Sequence, residues 1–128
     1  MLPARHRMVR PEDFRAARRG TSAKTDDLVV QLADAGTDCT RVGFVVPKKQ
    51  IARATHRTRV KRRLRHLCAA RLTTLAPGSL LVVRVAAGAD GKTSADLGAQ
   101  LDKALAKIAR KHAARAAAAR PSPAGQAW

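Results

Sequence analysis

The side chains in this 128-residue sequence that could do chemistry are cations, and they are crowded together. Between Cys39 and Ala89 the chain carries no carboxylate and 12 Lys or Arg, ten of them within Lys48–Arg71. A solvated face ordinarily mixes both signs so that neighbours attract. A block of one sign lacks that compensation, and guanidinium forks match phosphate oxygens two at a time. The chemistry such a block suits is the binding of a polyanion. The whole chain repeats the bias, with 26 Lys and Arg against 9 Asp and Glu and a net charge of +17. Side-chain catalysis finds little material here. The block offers no Ser/His/Asp set and no carboxylate pair, so Glu12, Asp13 or the distal aspartates would have to supply one. His66 and Cys68, two residues apart, face different sides of a helix and make a poor zinc pair. Cys39 and Cys68 are too few for a disulfide framework and read as buried, reduced thiols.

The elements that must hold these cations follow from periodicity. From Arg57 onward, Val60, Leu64, Leu67, Cys68 and Leu72 fall on one helical stripe, and Arg and Lys fill the remaining positions. That helix has a narrow apolar seam and a broad cationic face. Lys48–His56 is a polar connection before it. Arg41–Val46 alternates as a strand, and Phe44, in step with Val42 and Val46, is read as core. Pro47 ends it. Leu28–Leu32 is a second strand, Asp34–Asp38 a turn, and the two strands are expected to pair as an antiparallel hairpin. Leu80–Val85 is the most apolar strand and is expected to be central. Pro11 suits a first helical position, Glu12 and Asp13 complement the helix dipole, and Gly20 closes that helix. Ser94 is the expected cap of a last helix, which carries Leu97, Leu101, Leu105 and Ile108 on one stripe. The strand at 41–46, the basic helix and the strand at 80–85 make a β-α-β unit, for which the general rule predicts a right-handed crossover. The fold class is α/β or α+β: a two-layer sandwich of helices on a small mixed sheet of about four strands. Residues 1–113 are expected to form one polyanion-binding domain, with 114–128 an Ala/Arg/Pro-rich disordered tail.

The stretch Arg41-Val-Gly-Phe-Val-Val-Pro-Lys-Lys49, followed about eight residues later by Arg57-Thr-Arg-Val-Lys-Arg-Arg-Leu-Arg65, resembles the protein subunits of bacterial ribonuclease P. Arg10–Gly20, with its Asp-Phe-Arg, and the Gly-Ser-Leu-Leu-Val-Val-Arg84 strand are similar to the same family, so the resemblance runs from about residue 5 to about residue 112. The chain departs from the family pattern at four places. Thr58 stands for an Asn and Pro47 for a Ser. Gln50-Ile51-Ala52 replaces a glycine-containing connection, and Arg18 stands where a second aromatic is common.

The resemblance implies a ribosomal-protein-like fold with a left-handed crossover, against the general rule. It implies a partner RNA that is itself the catalyst, removing the 5′ leader of precursor tRNA with magnesium ions held mainly by that RNA, and no catalytic residue on the protein. By the same resemblance the catalytic RNA is bound by Lys48, Lys49, Arg53, Arg57, Thr58, Arg59, Lys61, Arg62, Arg63 and Arg65. The leader is bound by Phe14, Arg18, Arg41 and Lys48, with Phe14 as the stacking platform. No organic cofactor and no obligate protein partner are implied.

A structural basic RNA binder such as a ribosomal protein accounts for the charge but not for the spacing of these motifs. A DNA reader would need Asn or Gln on the exposed helix face, which is instead Arg and Lys. No apolar run approaches the ~20 residues of a membrane span, and the first residues lack the apolar core of a secretory signal. The expected location is the cytoplasm.

Overall fold

Strand β4 (Ser79–Val85) organises the molecule, because six of its seven side chains are buried and a strand apolar on both faces must lie inside a sheet. In the computed structural model, which describes residues 3–34 and 39–119, β4 sits between β2 (Leu28–Asp34) and β3 (Arg41–Val45). Strand β1 (Thr21–Lys24) completes a four-stranded mixed sheet in the order β1-β2-β4-β3. β1 and β2 pair antiparallel, as do β2 and β4, whereas β3 runs parallel to β4 with Val42 opposite Leu81. The expected hairpin of β2 with β3 is therefore absent. β4 takes the place beside both, since only there are its two apolar faces covered. The partner of β2 in a hairpin is β1, a strand whose short, polar sequence (Thr-Ser-Ala-Lys) gave too weak an alternation to be read. Residues 35–38, most of the turn expected between Asp34 and Asp38, lie outside the described residues.

Helix α1 (Pro11–Arg18) covers one face of the sheet, resting on β2 and β4. Pro11 occupies its first turn with Glu12 and Asp13, and Arg15 and Arg18 its last, as the helix dipole favours. Met8, Ala17, Leu80 and Val82 form the core of that layer. Helices α2 (Ala54–Arg71) and α3 (Ser94–Ala119) cover the other face. There Val60, Leu64 and Cys68 of α2 and Leu97, Leu101 and Ile108 of α3 meet Val30, Val42, Leu81 and Val83. Helices thus lie on both faces of the sheet, making three layers where two were expected.

α2 begins three residues ahead of the expected start at Arg57. Its first turn, Ala54-Thr-His, is polar and contributes nothing to the apolar seam from which that start was read. The cap of α3 is Thr93, whose Oγ1 accepts from the Asp96 amide at 3.1 Å, rather than Ser94. α3 continues to Ala119 on an Ala-rich run of high helix propensity, past the boundary placed at residue 113. Residues 120–128 lie outside the described residues.

The ends of α2 are tied down by its neighbours. Arg71 grips Asp102 of α3 through Nε at 2.5 Å and Nη2 at 3.0 Å, which holds the Asp102 carboxyl below its usual range. His56 Nδ1 meets Asp90 Oδ2 at 2.9 Å. Gln50 Oε1 accepts from the Ala87 amide at 3.0 Å. The loop after β4 that receives these contacts is itself pinned to Asp27: a Cβ on Gly88 would stand 2.0 Å from Asp27 Oδ1, so only glycine allows that approach.

Candidate RNA-binding surfaces

The cationic face of α2 divides into sectors once its neighbours are in place. At about 100° per residue, Lys61 and Arg65 lie roughly 60–100° to one side of the Val60/Leu64/Cys68 seam, and His56 and Arg63 roughly 80–100° to the other. Thr55, Thr58, Arg59, Arg62 and His66 point away from the sheet. Arg57 is only about 20° off the seam itself.

The outward sector is a solvent-facing ridge. Thr58, Arg59 and Arg62 are exposed, and a shallow groove of about 400 Å³ runs between Ala54, Thr55, Thr58, Arg59 and Arg62. A second groove on the other side of Thr58 and Arg62 reaches Arg65 and His66. Among the described residues no carboxylate pairs with Arg57, Arg59, Lys61, Arg62, Arg63 or Arg65. The charge of this face is therefore not spent inside the protein. Lys48, Lys49 and Arg53 are exposed on the connection that leads into α2.

The second sector faces a cleft of about 250 Å³ that bends round β3, an edge strand. Lys61 and Arg65 line it together with Phe14 and Phe44. The segment Arg7-Met8-Val9 forms another wall, held to β3 by the Met8 amide donating to the Val42 carbonyl at 2.9 Å. Phe14 is half-buried: its ring backs onto Gly43, and its remaining surface faces the opening. Phe44, read from alternation as core, packs against the core but is only half-buried, and it lines the same cleft. Val9, 79 % exposed, is the one large apolar side chain among the described residues that stands out in solvent.

Of the residues expected at a leader site, Phe14 lines this cleft, and Arg18, Arg41 and Lys48 do not. Arg18 is exposed in the last turn of α1, and Arg41 is half-buried at the start of β3. Lys61 and Arg65, expected among the contacts to the other RNA, face the cleft. Sequence reasoning missed Phe44, Met8 and Val9 as cleft residues; only the fold shows that the 7–9 segment lies along the edge of β3 and bridges to Val42 there.

The remaining candidates are structural. Cys68 is buried in the seam, and burial pushes its thiol up to about 12. Cys39, expected to be buried, is half-exposed, with Sγ 3.2 Å from His6 Nδ1. Among the described residues no three His, Cys, Asp or Glu side chains converge on a possible metal position, and neither the ridge nor the cleft carries a carboxylate. Nor is any helix of the described residues long and apolar enough to cross a membrane.

The comparisons with known proteins agree with one another. The ribonuclease P family profile matches residues 2–109. The chain is 46 % identical over 118 residues to the ribonuclease P protein component of Streptomyces bikiniensis, covering 84 % of this chain and 95 % of that one. It is 40 % identical over 114 residues to the corresponding protein of Mycobacterium avium, covering 84 % and 95 %. Among solved structures it is similar to an RNase P protein mutant of Staphylococcus aureus with defective mRNA degradation activity. That match has a TM-score of 0.70 and 25 % identity over 82 % of this chain and 88 % of the other. The RNase P protein of Thermotoga maritima shares the fold, with a TM-score of 0.66 at 23 % identity over 77 % and 94 %.

Proposed function

The chain belongs to the family of ribonuclease P protein components, and from that premise we propose that its two carboxylate-free surfaces bind two RNAs at once. The ridge of α2, with Thr58, Arg59 and Arg62 and the neighbouring Lys48, Lys49 and Arg53, docks on the catalytic RNA of the enzyme. The cleft of Phe14, Phe44, Lys61 and Arg65 holds the single-stranded 5′ leader of precursor tRNA. The observation that carries this reading is the division of one helix between the two surfaces, with Arg59 and Arg62 on one and Lys61 and Arg65 on the other paired with no carboxylate among the described residues.

The physics of each surface is distinct. On the ridge, guanidinium forks take phosphate oxygens in pairs, and each neutralised phosphate releases counterions, so affinity falls steeply with salt. In the cleft, an aromatic face offers a platform to a base of any identity, while Lys61 and Arg65 follow the backbone. Nothing there reads a base edge in preference to another, so the cleft senses that a leader is present more than which leader it is. Binding the leader favours precursor over mature tRNA, which lacks one.

The protein in this reading contributes no catalytic side chain and works in the cytoplasm. Magnesium, with the hydrolytic chemistry it supplies, is assigned in this reading to the RNA, since the residues lining the two protein surfaces include no carboxylate. The cations of the ridge and cleft lower the repulsion between crowded phosphates, so that less magnesium is needed for the same fold.

Reconstitution tests the proposal. The protein is added to ribonuclease P RNA transcribed from a Streptomyces genome, at magnesium too low for the RNA alone to act, with a leader-bearing precursor tRNA. Leader removal should appear only when both components are present. Cleavage by the protein without RNA, or no stimulation by it, would overturn the proposal.

A further inference from the structure

Six cations between Arg57 and Arg65 look equivalent in the sequence, and the structure separates two of them from the rest. Arg57 sits on the seam side of α2, half-buried, and points back along the chain. Its Nη1 donates to the carbonyl of Ile51 at 3.0 Å and to that of Ala52 at 2.7 Å. Those two carbonyls belong to the connection that carries Lys48, Lys49 and Arg53. Ile51 is itself 2 % exposed, so the connection is fixed by its side chain in the core and by its carbonyl on Arg57. Arg53, at the N-cap of α2, makes no side-chain cap hydrogen bond, so beside the His56–Asp90 and Gln50–Ala87 contacts it is Arg57 that ties the helix start to its own leading connection. On the opposite flank, Arg63 Nη1 donates to the carbonyl of Lys92, in the loop that also receives Gln50 and His56. Arg59 and Arg62 make no comparable contact among the described residues and stand in solvent.

We propose that Arg57 and Arg63 are positioning residues: they set the angle of the ridge and the place of its leading connection, while Arg59 and Arg62 contact RNA phosphates. The inference rests on the reading above that the outward face of α2 is the docking surface. Its energetic logic is that a donor given to a carbonyl orders the backbone, whereas a donor left in solvent is available to a ligand. The ridge then meets its RNA with little left to order, which limits the entropic cost of binding.

The test separates charge from geometry. Glutamine keeps an N–H donor and loses the positive charge, so Arg57→Gln, Arg63→Gln and Arg62→Gln are compared with Arg57→Ala and the unaltered protein. Binding to the same Streptomyces ribonuclease P RNA is measured from low to moderate salt. Arg62→Gln should lower the slope of log K against log salt by about 0.7–0.9, the contribution of one phosphate. Arg57→Gln and Arg63→Gln should leave that slope unchanged. Arg57→Ala, with its two carbonyls released, should lose about tenfold in affinity, again at unchanged slope. A slope reduced by Arg57→Gln or Arg63→Gln as much as by Arg62→Gln overturns the proposal.

A readout without RNA guards against failure of the docking surface itself. The amides of Gln50 and Ile51 donate to the Pro47 carbonyl at 3.0 and 3.1 Å, and their hydrogen exchange should speed up in Arg57→Ala but not in Arg62→Ala. Unchanged exchange in Arg57→Ala overturns the positioning role whatever the RNA data show. If neither Arg62→Gln nor Arg59→Gln alters the slope, the outward face is not the interface, and the proposed docking falls while the exchange result still decides the role of Arg57.

Discussion

The ring of Phe14 is supported from behind by Gly43, where an added Cβ would stand 2.6 Å from Phe14 Cε1 and 3.1 Å from Met8 Cβ. A side chain at that position would push the ring toward the mouth of the cleft. This makes Gly43→Ala a way to move the platform without removing it, and Phe14→Ala a way to remove it. A base stack of about 1–3 kcal/mol corresponds to roughly a 5- to 150-fold change in affinity. Phe14→Ala should lose affinity in that range for leader-bearing precursor tRNA and lose little for leaderless tRNA. Gly43→Ala should show the same selectivity at smaller size. Equilibrium binding of the two tRNAs to the reconstituted enzyme checks both, and equal losses on the two would make Phe14 a core residue alone. Phe14 was recognisable from its motif. Its half-burial was not, because how much of a ring is covered depends on a glycine 29 positions away.

Among the elements, α2 carries most of the proposed contacts and rests on a narrow apolar seam. Val60, Leu64 and Cys68 are its only fully buried side chains among the described residues, with Leu67 and Ala69 packed partly against the same core. Truncating a buried leucine costs about 2–5 kcal/mol, a large part of the about 5–15 kcal/mol that stabilises a typical domain. Leu64→Ala should therefore lower the urea midpoint by a corresponding amount. Measured where it is still folded, the variant should keep the salt slope of RNA binding, since no ridge charge has moved. A changed slope would mean that the seam also orients the cations directly. The seam was legible from its i, i+4, i+8 spacing, which survives any packing arrangement. The pairing of β2 with β3 was misread because adjacency in sequence favours hairpins, whereas burial of β4 on both faces decided the order.

At the scale of the whole molecule, a charge of +17 on 128 residues repels itself. Three ion pairs recur among the described residues, His56–Asp90, Arg71–Asp102 and Lys92–Asp27, and all three lie outside the ridge and the cleft. The protein without RNA should consequently gain stability from salt. Raising ionic strength from 0.01 to 0.1 M shortens the screening length from about 30 to about 10 Å. The thermal midpoint should rise by about 5 °C or more, the equivalent of roughly 1 kcal/mol in a domain of this size. A midpoint indifferent to salt would show that the repulsion is already compensated within the fold. Local properties of the chain were set by its sequence alone: the carboxylate-free block, the seam of α2, the proline and acidic first turn of α1 and the resemblance that named the family. The tertiary structure alone decided which cations serve which surface. Lys61 and Arg65 face a cleft because β3 is an edge, Arg57 and Arg63 turn inward because carbonyls of two loops come within reach, and Arg59 and Arg62 remain outside because nothing packs over them. Periodicity gives each side chain a direction from the helix axis, but what it meets there depends on segments distant in the chain, which only the folded arrangement brings together.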